Sequence, residues 1–321
     1  MEGGTDPPKA AAAGVHLPWA QVPDRIQEWA AAVAGAAPHR VHDLPGGFSP
    51  GATTRLQFAG RPDLFVKAVG AALNPESPEL HRREAVIAAG LPRSPRWPEL
   101  ITTYDDGDWV ALAFVAVDGQ PPKHPWQRSE LDVVVHALEA MHVDLAPSPI
   151  IGAEAAATRL LGTFGGWRRL ASMTVPPSTL DQWSRRNLLR LAELESAWPD
   201  ACAGETLLHL DIRSDNILID HDRVVFVDWP HAGVGSPVLD LICWAPSVVL
   251  EGGPEPESLL ARYNPSGSAD PDVVNVLVAA VAGFLTERSL LPSPPGLPTL
   301  RAFQAAQADV ARSWLQRRVG W

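Results

Sequence analysis

The sequence predicts an α+β fold of two lobes, a β-rich N-terminal lobe and a mainly helical C-terminal one. Three observations lead there. Short strand-like runs prevail before residue 117, helix-spaced apolar runs prevail after it, and the stretch Gly119-Gln120-Pro121-Pro122 between them suits a hinge. The expected division is a disordered leader over 1–16, an N-terminal lobe over 17–117 and a C-terminal lobe over 118–321. A chain of 321 residues, 46% hydrophobic and 20% charged, carries enough apolar surface for both lobes.

Taken in order, residues 22–34 have helical spacing and a start signal at Asp24. Residues 44–58 combine a Gly-rich turn with alternation and read as a β-hairpin, followed by a strand at 63–69. Pro78 near the start and Gly90 at the end bound a helix over 78–90. Strands at 98–104 and 108–116 flank the turn Asp105-Asp106-Gly107. Ser129, with Asp132 three places on, opens a helix over 129–143. Further helices are expected over 151–162, 180–198, 236–250, 271–290 and 298–318. Among them two short strand-like runs, 216–219 and 224–227, join through Asp220-His221-Asp222-Arg223. The proline-rich stretches 171–178 and 251–271 read as surface loops.

Composition narrows the function classes. No apolar run reaches the roughly 18 residues a membrane-crossing helix needs, and the first residues hold no segment apolar enough for a secretory signal. A cytoplasmic protein without a membrane partner is expected. Cys202 and Cys243 belong to no CxxC or Cys/His cluster, so neither a zinc site nor a disulfide framework is expected. A net charge of −11 argues against a nucleic-acid partner, whose phosphates call for excess Lys and Arg, and tilts expectation toward a cationic small molecule. Nothing in the sequence fixes an oligomeric state.

The chemistry concentrates in residues 207–229, LLHLDIRSDNILIDHDRVVFVDW. Asp211 is followed by Asn216 five places later and by Asp228 seventeen places later, and Asp228 closes the apolar run from Val224 to Val227. Asp and Asn favour turns, so one of them alone would say little. Three at this spacing, bracketed by two β-runs that bring them to one mouth, fit phosphoryl transfer. That reaction needs a carboxylate to orient and deprotonate an attacking hydroxyl, and hard oxygen ligands to hold Mg²⁺ against the phosphates. Asp211 is read as the base, Asn216 and Asp228 as metal ligands, and Arg213 as a group that reaches the transferring phosphate.

The pattern His209-x-Asp211-x₄-Asn216, with Asp228 at a strand end, resembles the aminoglycoside phosphotransferase-like family, relatives of the protein kinases, over about residues 44–245. The resemblance implies a bilobal protein-kinase-like fold, a catalytic base at Asp211 and magnesium ligands at Asn216 and Asp228. It makes His209 a scaffold residue of the catalytic loop. It also makes Asp240 a brace for that loop, although an acid near a helix start is favoured by the helix dipole in any case. Where protein kinases carry Asp-Phe-Gly, this chain has Asp228-Trp229-Pro230, and no Ala-Pro-Glu closes an activation segment. Both departures point away from protein substrates. Leu210 stands where glycine is common in the family.

Two signals lie upstream. The run Gly46-Gly47-Phe48-Ser49-Pro50-Gly51 is a small-residue turn, and without Cβ atoms its backbone N–H groups can approach phosphate oxygens. It is neither GxGxxG nor a Walker A loop. It resembles the nucleotide-positioning loop of the same family, with Ser49 and Gly51 as candidates. About fifteen residues on, Lys67 sits inside an apolar strand, where a charge is costly unless paired. Its expected partner is Glu84, with Glu79 as the alternative, and it would bridge the α- and β-phosphates of a nucleotide. Two competing readings are that Arg82 or Arg83 takes Glu84, and that Lys67 snorkels from an edge strand. Residues 109–118 read as a buried strand entering the hinge. In kinase-like folds the adenine ring sits there, so the backbone of Phe114, Val115 and Ala116 is expected to meet the base, with ATP and GTP both open.

The expected activity is transfer of the γ-phosphate of ATP or GTP to a hydroxyl of a small molecule. The resemblance places an antibiotic or similar natural product first, with resistance or self-protection as the role. A metabolite kinase acting on choline, homoserine or a thio-sugar stands second. Trp167, Trp183 and Trp244 are candidates to stack on the acceptor, against a core role for most of the twelve tryptophans. A catalytically silent nucleotide-binding module is disfavoured by the intact set Lys67, Asp211, Asn216 and Asp228. A metal-dependent hydrolase built on His209, Asp211 and Asp228 would need more ligands than the pattern offers.

Overall fold

A computed structural model of the protein describes residues 16–44, 50–263, 269–294 and 297–321. The first elements build one antiparallel sheet between two helices. Helix α1 (Asp24–Ala34) ends where Gly35 turns left-handed. There follow β1 (Arg40–Asp43), β2 (Ala52–Gln57), β3 (Leu64–Gly70), α2 (Ser77–Gly90), β4 (Leu100–Asp105) and β5 (Trp109–Val115). The sheet order is β1-β2-β3-β5-β4, with every neighbouring pair antiparallel. Side chains alternate between the two faces of a sheet. Leu64, Val66 and Ala68 of β3 therefore share a core with Ala111 and Ala113 of β5 and with Ile26 and Ala30 of α1. Val110, Leu112 and Phe114 of β5, with Phe65 of β3, pack on Ala85 and Ala88 of α2. By the same parity Lys67 falls on the α2 face.

The rest of the chain is mainly helical. It runs α3 (Arg128–Asp144), α4 (Ala156–Arg159), α5 (Gly166–Ala171), α6 (Gln182–Arg186), α7 (Leu188–Ser196), α8 (Trp198–Ala201), β6 (Thr206–Leu208), β7 (Ile217–Asp220), β8 (Arg223–Phe226), β9 (Gly233–Gly235), α9 (Val238–Leu250), α10 (Pro256–Leu260), α11 (Pro271–Ser289) and α12 (Leu300–Val319). Strands β7 and β8 form a hairpin, and β6 pairs with β9. One large core gathers Leu138 and Met141 of α3, Leu239 and Ile242 of α9, and Leu277 and Val281 of α11. No helix among the described residues is long and apolar enough to cross a membrane.

Several expected elements differ. The helix expected over 151–162 shrinks to α4, because the backbone before it pairs with β9: the Val234 N–H donates to Glu154 O at 2.8 Å, and Ala155 bridges Val234. The helix expected over 180–198 is broken into α6, α7 and the start of α8. At the first break the Asn187 side chain donates to Trp183 O at 3.0 Å, competing with the helical backbone. At the second, Pro199 lacks the N–H that a continuous helix needs. The hairpin expected over 44–58 has its first strand earlier, at β1, where Val41 pairs with Leu56. The expected loop at 251–271 contains the short helix α10, opened by Pro256.

Candidate active site

Strand parity aims Lys67 at α2, and α2 brings Glu84 to meet it. Lys67 Nζ donates to both Glu84 oxygens, at 2.8 and 2.9 Å, and to Asp228 Oδ1 at 2.5 Å. Burial works against the Lys67 ammonium, but the Asp228 and Glu84 carboxylates outweigh it and hold the amine above the usual lysine range. Burial also opposes the charge on Asp228, and there Lys67 prevails, keeping that carboxyl below its usual range. At Glu84 burial prevails over Lys67 and the carboxyl sits above that of a free glutamate. Glu79 is not the partner: it is exposed and lies 3.6 Å from Arg83 and 3.9 Å from Arg82. Arg82 in turn donates to Asp105 at 2.8 Å, so neither arginine competes for Glu84.

The turn from His209 to Asn216 hangs on Asp240 near the start of α9. The fully buried Asp240 carboxylate accepts from His209 N at 2.9 Å and Leu210 N at 2.7 Å, and from His142 Nε2 at 2.9 Å. With Nε2 donating, His142 Nδ1 is left to accept from the Tyr263 hydroxyl 2.5 Å away. Burial would raise the Asp240 carboxyl, but the His142 bond and its neighbours hold it below the usual range. His209 is equally buried. Its Nε2 donates to Val227 O at 2.9 Å and its Nδ1 accepts from Asp211 N at 3.3 Å, a pattern only the neutral Nε2–H tautomer satisfies. Burial pushes its imidazole below the usual range, in keeping with that neutral form. His209 thus scaffolds the turn and lines neither of the two cavities that meet it.

Within the turn, Asn216 Nδ2 donates to Asp211 O at 2.9 Å and to Asp211 Oδ2 at 3.1 Å. Arg213 Nε donates to Asp215 Oδ1 at 2.9 Å, and Arg213 Nη1 lies 3.9 Å from Asp211 Oδ1. Burial opposes the guanidinium charge, yet Asp211 and Asp215 raise Arg213 above the usual arginine range. Leu210 and Asp228 both adopt left-handed backbone, at φ 62° and 71°. Asp tolerates that conformation better than leucine does.

Two cavities of about 440 Å³ each meet this turn at different residues. The first lies between the sheet and the β7–β8 hairpin and is lined by Lys67, Glu84, Asn216 and Asp228 at one end and by the last residues of β5 at the other. Phe114, Val115 and Ala116 line it as expected, but the N–H of Val115 donates to Glu99 O and that of Ala116 to Asp63 O. The N–H of the next residue, Val117, has no protein partner among the described residues. Gly51 also lines it, at φ +122°, and a Cβ there would stand 2.5 Å from Ala68 O. Close approach to β3 is thus what requires this glycine. Ser49 lies outside the described residues. The second cavity opens between Asp211 and Arg213 on one side and α11 and α12 on the other.

The first cavity fits a divalent cation. Asn216 Oδ1 and the second oxygen of Asp228 accept no hydrogen bond among the described residues, and both residues line the cavity. Two hard oxygens are few for a protein-only cage, and among the described residues no cluster of three or more His, Cys, Asp or Glu supplies one. That is the donor set of an ion completed by water and phosphate oxygens.

The profile of the phosphotransferase enzyme family matches residues 40–277, spanning the sheet, the turn and most of the helical region. The chain belongs to that family. It is a phosphotransferase with an alcohol group as acceptor, of the small-molecule kinase kind. Its fold is similar to that of the aminoglycoside phosphotransferase APH(4)-Ia, a thermostable mutant solved with AMP-PNP and hygromycin B. That likeness has a TM-score of 0.61 at 13% identity, covering 92% of this chain and 99% of that one. It is also similar to spectinomycin phosphotransferase APH(9)-Ia with ADP and spectinomycin (TM-score 0.57, 10% identity, 90% and 97% covered). A third likeness is to the choline kinase LicA from Streptococcus pneumoniae (TM-score 0.58, 13% identity, 90% and 98% covered). No curated protein sequence matches the chain.

Other residues of the phosphotransferase sit where sequence reasoning did not put them. Trp167 and Trp244 are fully buried and Trp183 donates to Trp321 O at 2.9 Å; none of the three lines the second cavity. Its aromatic wall comes instead from Phe164, Phe284 and Phe303. The charges in its described lining are Asp211, the single carboxylate, with Arg83, Arg159 and Arg213 and the titratable His231. Glu251 carried no local signal. It accepts from Ser214 Oγ at 2.6 Å and from Trp126 Nε1 at 2.9 Å, tying the turn to the segment ahead of α3.

Proposed function

We propose that the phosphotransferase moves the γ-phosphate of ATP or GTP to a hydroxyl of an antibiotic or similar natural product, conferring resistance or self-protection in the cytoplasm. One observation carries the reading. A single turn supplies Asn216 to one cavity, where Lys67, Glu84 and Asp228 also gather, and Asp211 with Arg213 to another. The nucleotide would occupy the first cavity, with the end of β5 against its base and Lys67 against its α- and β-phosphates. Asn216 and Asp228 would hold Mg²⁺, whose charge there offsets the charge building on the transferring phosphoryl group. Asp211 would orient the acceptor hydroxyl and take its proton, and Arg213 would face the phosphoryl oxygens. The division of labour would fall near 117/118.

The natural-product acceptor is supported by the likeness to kinases of hygromycin B and spectinomycin, and by a cavity volume typical of drug-sized ligands. The likeness to a choline kinase favours a metabolite acceptor as the second reading. Mass spectrometry of a panel of hydroxylated antibiotics and metabolites, incubated with Mg²⁺ and ATP or GTP, tests both. In Asp211→Ala the gain of a phosphoryl mass is expected to slow by roughly 10²–10⁴-fold, with nucleotide affinity nearly unchanged. Near-normal turnover in that variant would remove Asp211 from the role of base.

A further inference from the structure

The second cavity carries information on the acceptor that the chain's overall charge conceals. Its cations come from three separate segments: Arg83 on α2, Arg159 on α4 and Arg213 in the turn. Arg159 is fixed by donating to Pro230 O at 2.6 Å and to Glu154 at 3.2 Å. Arg83 lies 3.6 Å from Glu79. Arg213 donates to Asp215 Oδ1 at 2.9 Å; Glu154 and Glu79 are exposed, Asp215 is half-buried, and none of the three lines the cavity. Apart from Asp211, the three arginines and His231, what the described lining offers a ligand is apolar or neutral, with Phe164, Phe284 and Phe303 among the apolar groups and Ser247, Gln304 and Gln307 among the polar ones. Gln307 Nε2 donates to Ser247 Oγ at 2.6 Å, which fixes a neutral amide carbonyl rather than a carboxylate there.

We infer that the acceptor is an alcohol without cationic groups: neutral or anionic, with an apolar body laid on the three phenylalanines. An ammonium group entering this cavity would be stripped of water beside three guanidinium groups. Its one carboxylate, Asp211, already lies beside Arg213 and is needed for the reacting hydroxyl. A hydroxyl, carbonyl or carboxylate meets donors instead. The inference rests on the second cavity being the acceptor site, as argued for the proposed function.

The test gives the full chain, with Mg²⁺ and ATP or GTP, two sets of alcohols of matched size. One set holds polyamine-bearing aminocyclitols. The other holds uncharged macrolactones and nucleosides together with hydroxylated carboxylic acids. Phosphoryl transfer is read by mass, and binding separately by the melting temperature with Mg·ADP present. Transfer or stabilisation confined to the second set is expected. For a carboxylate-bearing acceptor, Arg83→Gln is expected to raise KM several-fold while kcat holds. Transfer confined to the aminocyclitols overturns the inference and leaves the kinase reading standing, and so does a second set that neither reacts nor binds. Transfer that persists in Asp211→Ala instead marks failure of the site assignment, whatever the charge of the product.

Discussion

Leu210 shows how one residue stores strain beside the reacting groups. Its backbone is held left-handed by the bond from Leu210 N to the buried Asp240, while its side chain packs on the main core and lines the second cavity. A non-glycine residue there costs about 1–2 kcal/mol, and a partly buried leucine side chain returns a similar amount. The two terms nearly cancel in Leu210→Gly, whereas Leu210→Ala keeps the strain and loses the packing. We expect the glycine variant to be more stable than the alanine variant by about 1 kcal/mol, the reverse of their usual order. Urea denaturation of the two proteins decides it, and an alanine variant that is the more stable would show that the strain is relieved elsewhere.

At the scale of the element, α2 is a short lever that places three unlike groups by helical spacing: His81 and Glu84 on its buried face and Arg83 toward the second cavity. Burial, with Lys67 close by, pushes the His81 imidazole down to about 4. An unfolded histidine takes its proton near pH 6.5. The folded state therefore binds fewer protons between those values, so the contribution is complete above pH 6.5 and is lost as pH falls toward 4. The loss amounts to about 3 kcal/mol at most. Comparison of the wild type with His81→Leu by urea unfolding at pH 7 and pH 4.5 isolates this component from the titration of the carboxylates. The wild type should lose stability relative to the variant on acidification, and a constant gap would mean that His81 charges freely in place.

At the scale of the whole molecule, the sheet and the helical region are joined by a strand-like splice. Gln120 N donates to Ile219 O at 2.9 Å and Ile219 N to Gln120 O at 2.8 Å, so the hinge adds a rung to the edge of the β7–β8 hairpin. Gly119 makes this possible. It sits at φ +138°, and a Cβ would lie 3.2 Å from Ile219 O. A β-branched residue at that φ is strained whatever the space. In Gly119→Val the first cavity should lose its fixed width, with Mg·ATP affinity falling roughly tenfold for about 1.4 kcal/mol of strain. Calorimetric titration reads the change, and unaltered affinity would show that the rung does not set the nucleotide cleft.

What the sequence determined by itself was whatever rests on short separations. Alternation along 64–70 and spacing along 77–90 put Lys67 and Glu84 on facing surfaces, and Asp211 and Asn216 sit five residues apart in one turn. Tertiary structure alone decided the rest. Asp228 meets Lys67 across 161 residues, Asp240 meets His142 across 98, and Glu251 meets Ser214 across 37, and no local pattern marks such partners. The set of charges lining the second cavity is the clearest case. A net charge of −11 is a sum over the whole surface. Electrostatic interaction between exposed groups fades within about 10 Å, so what a ligand meets depends on which few side chains the fold brings to the cavity. Here those are three arginines from three distant segments around one aspartate.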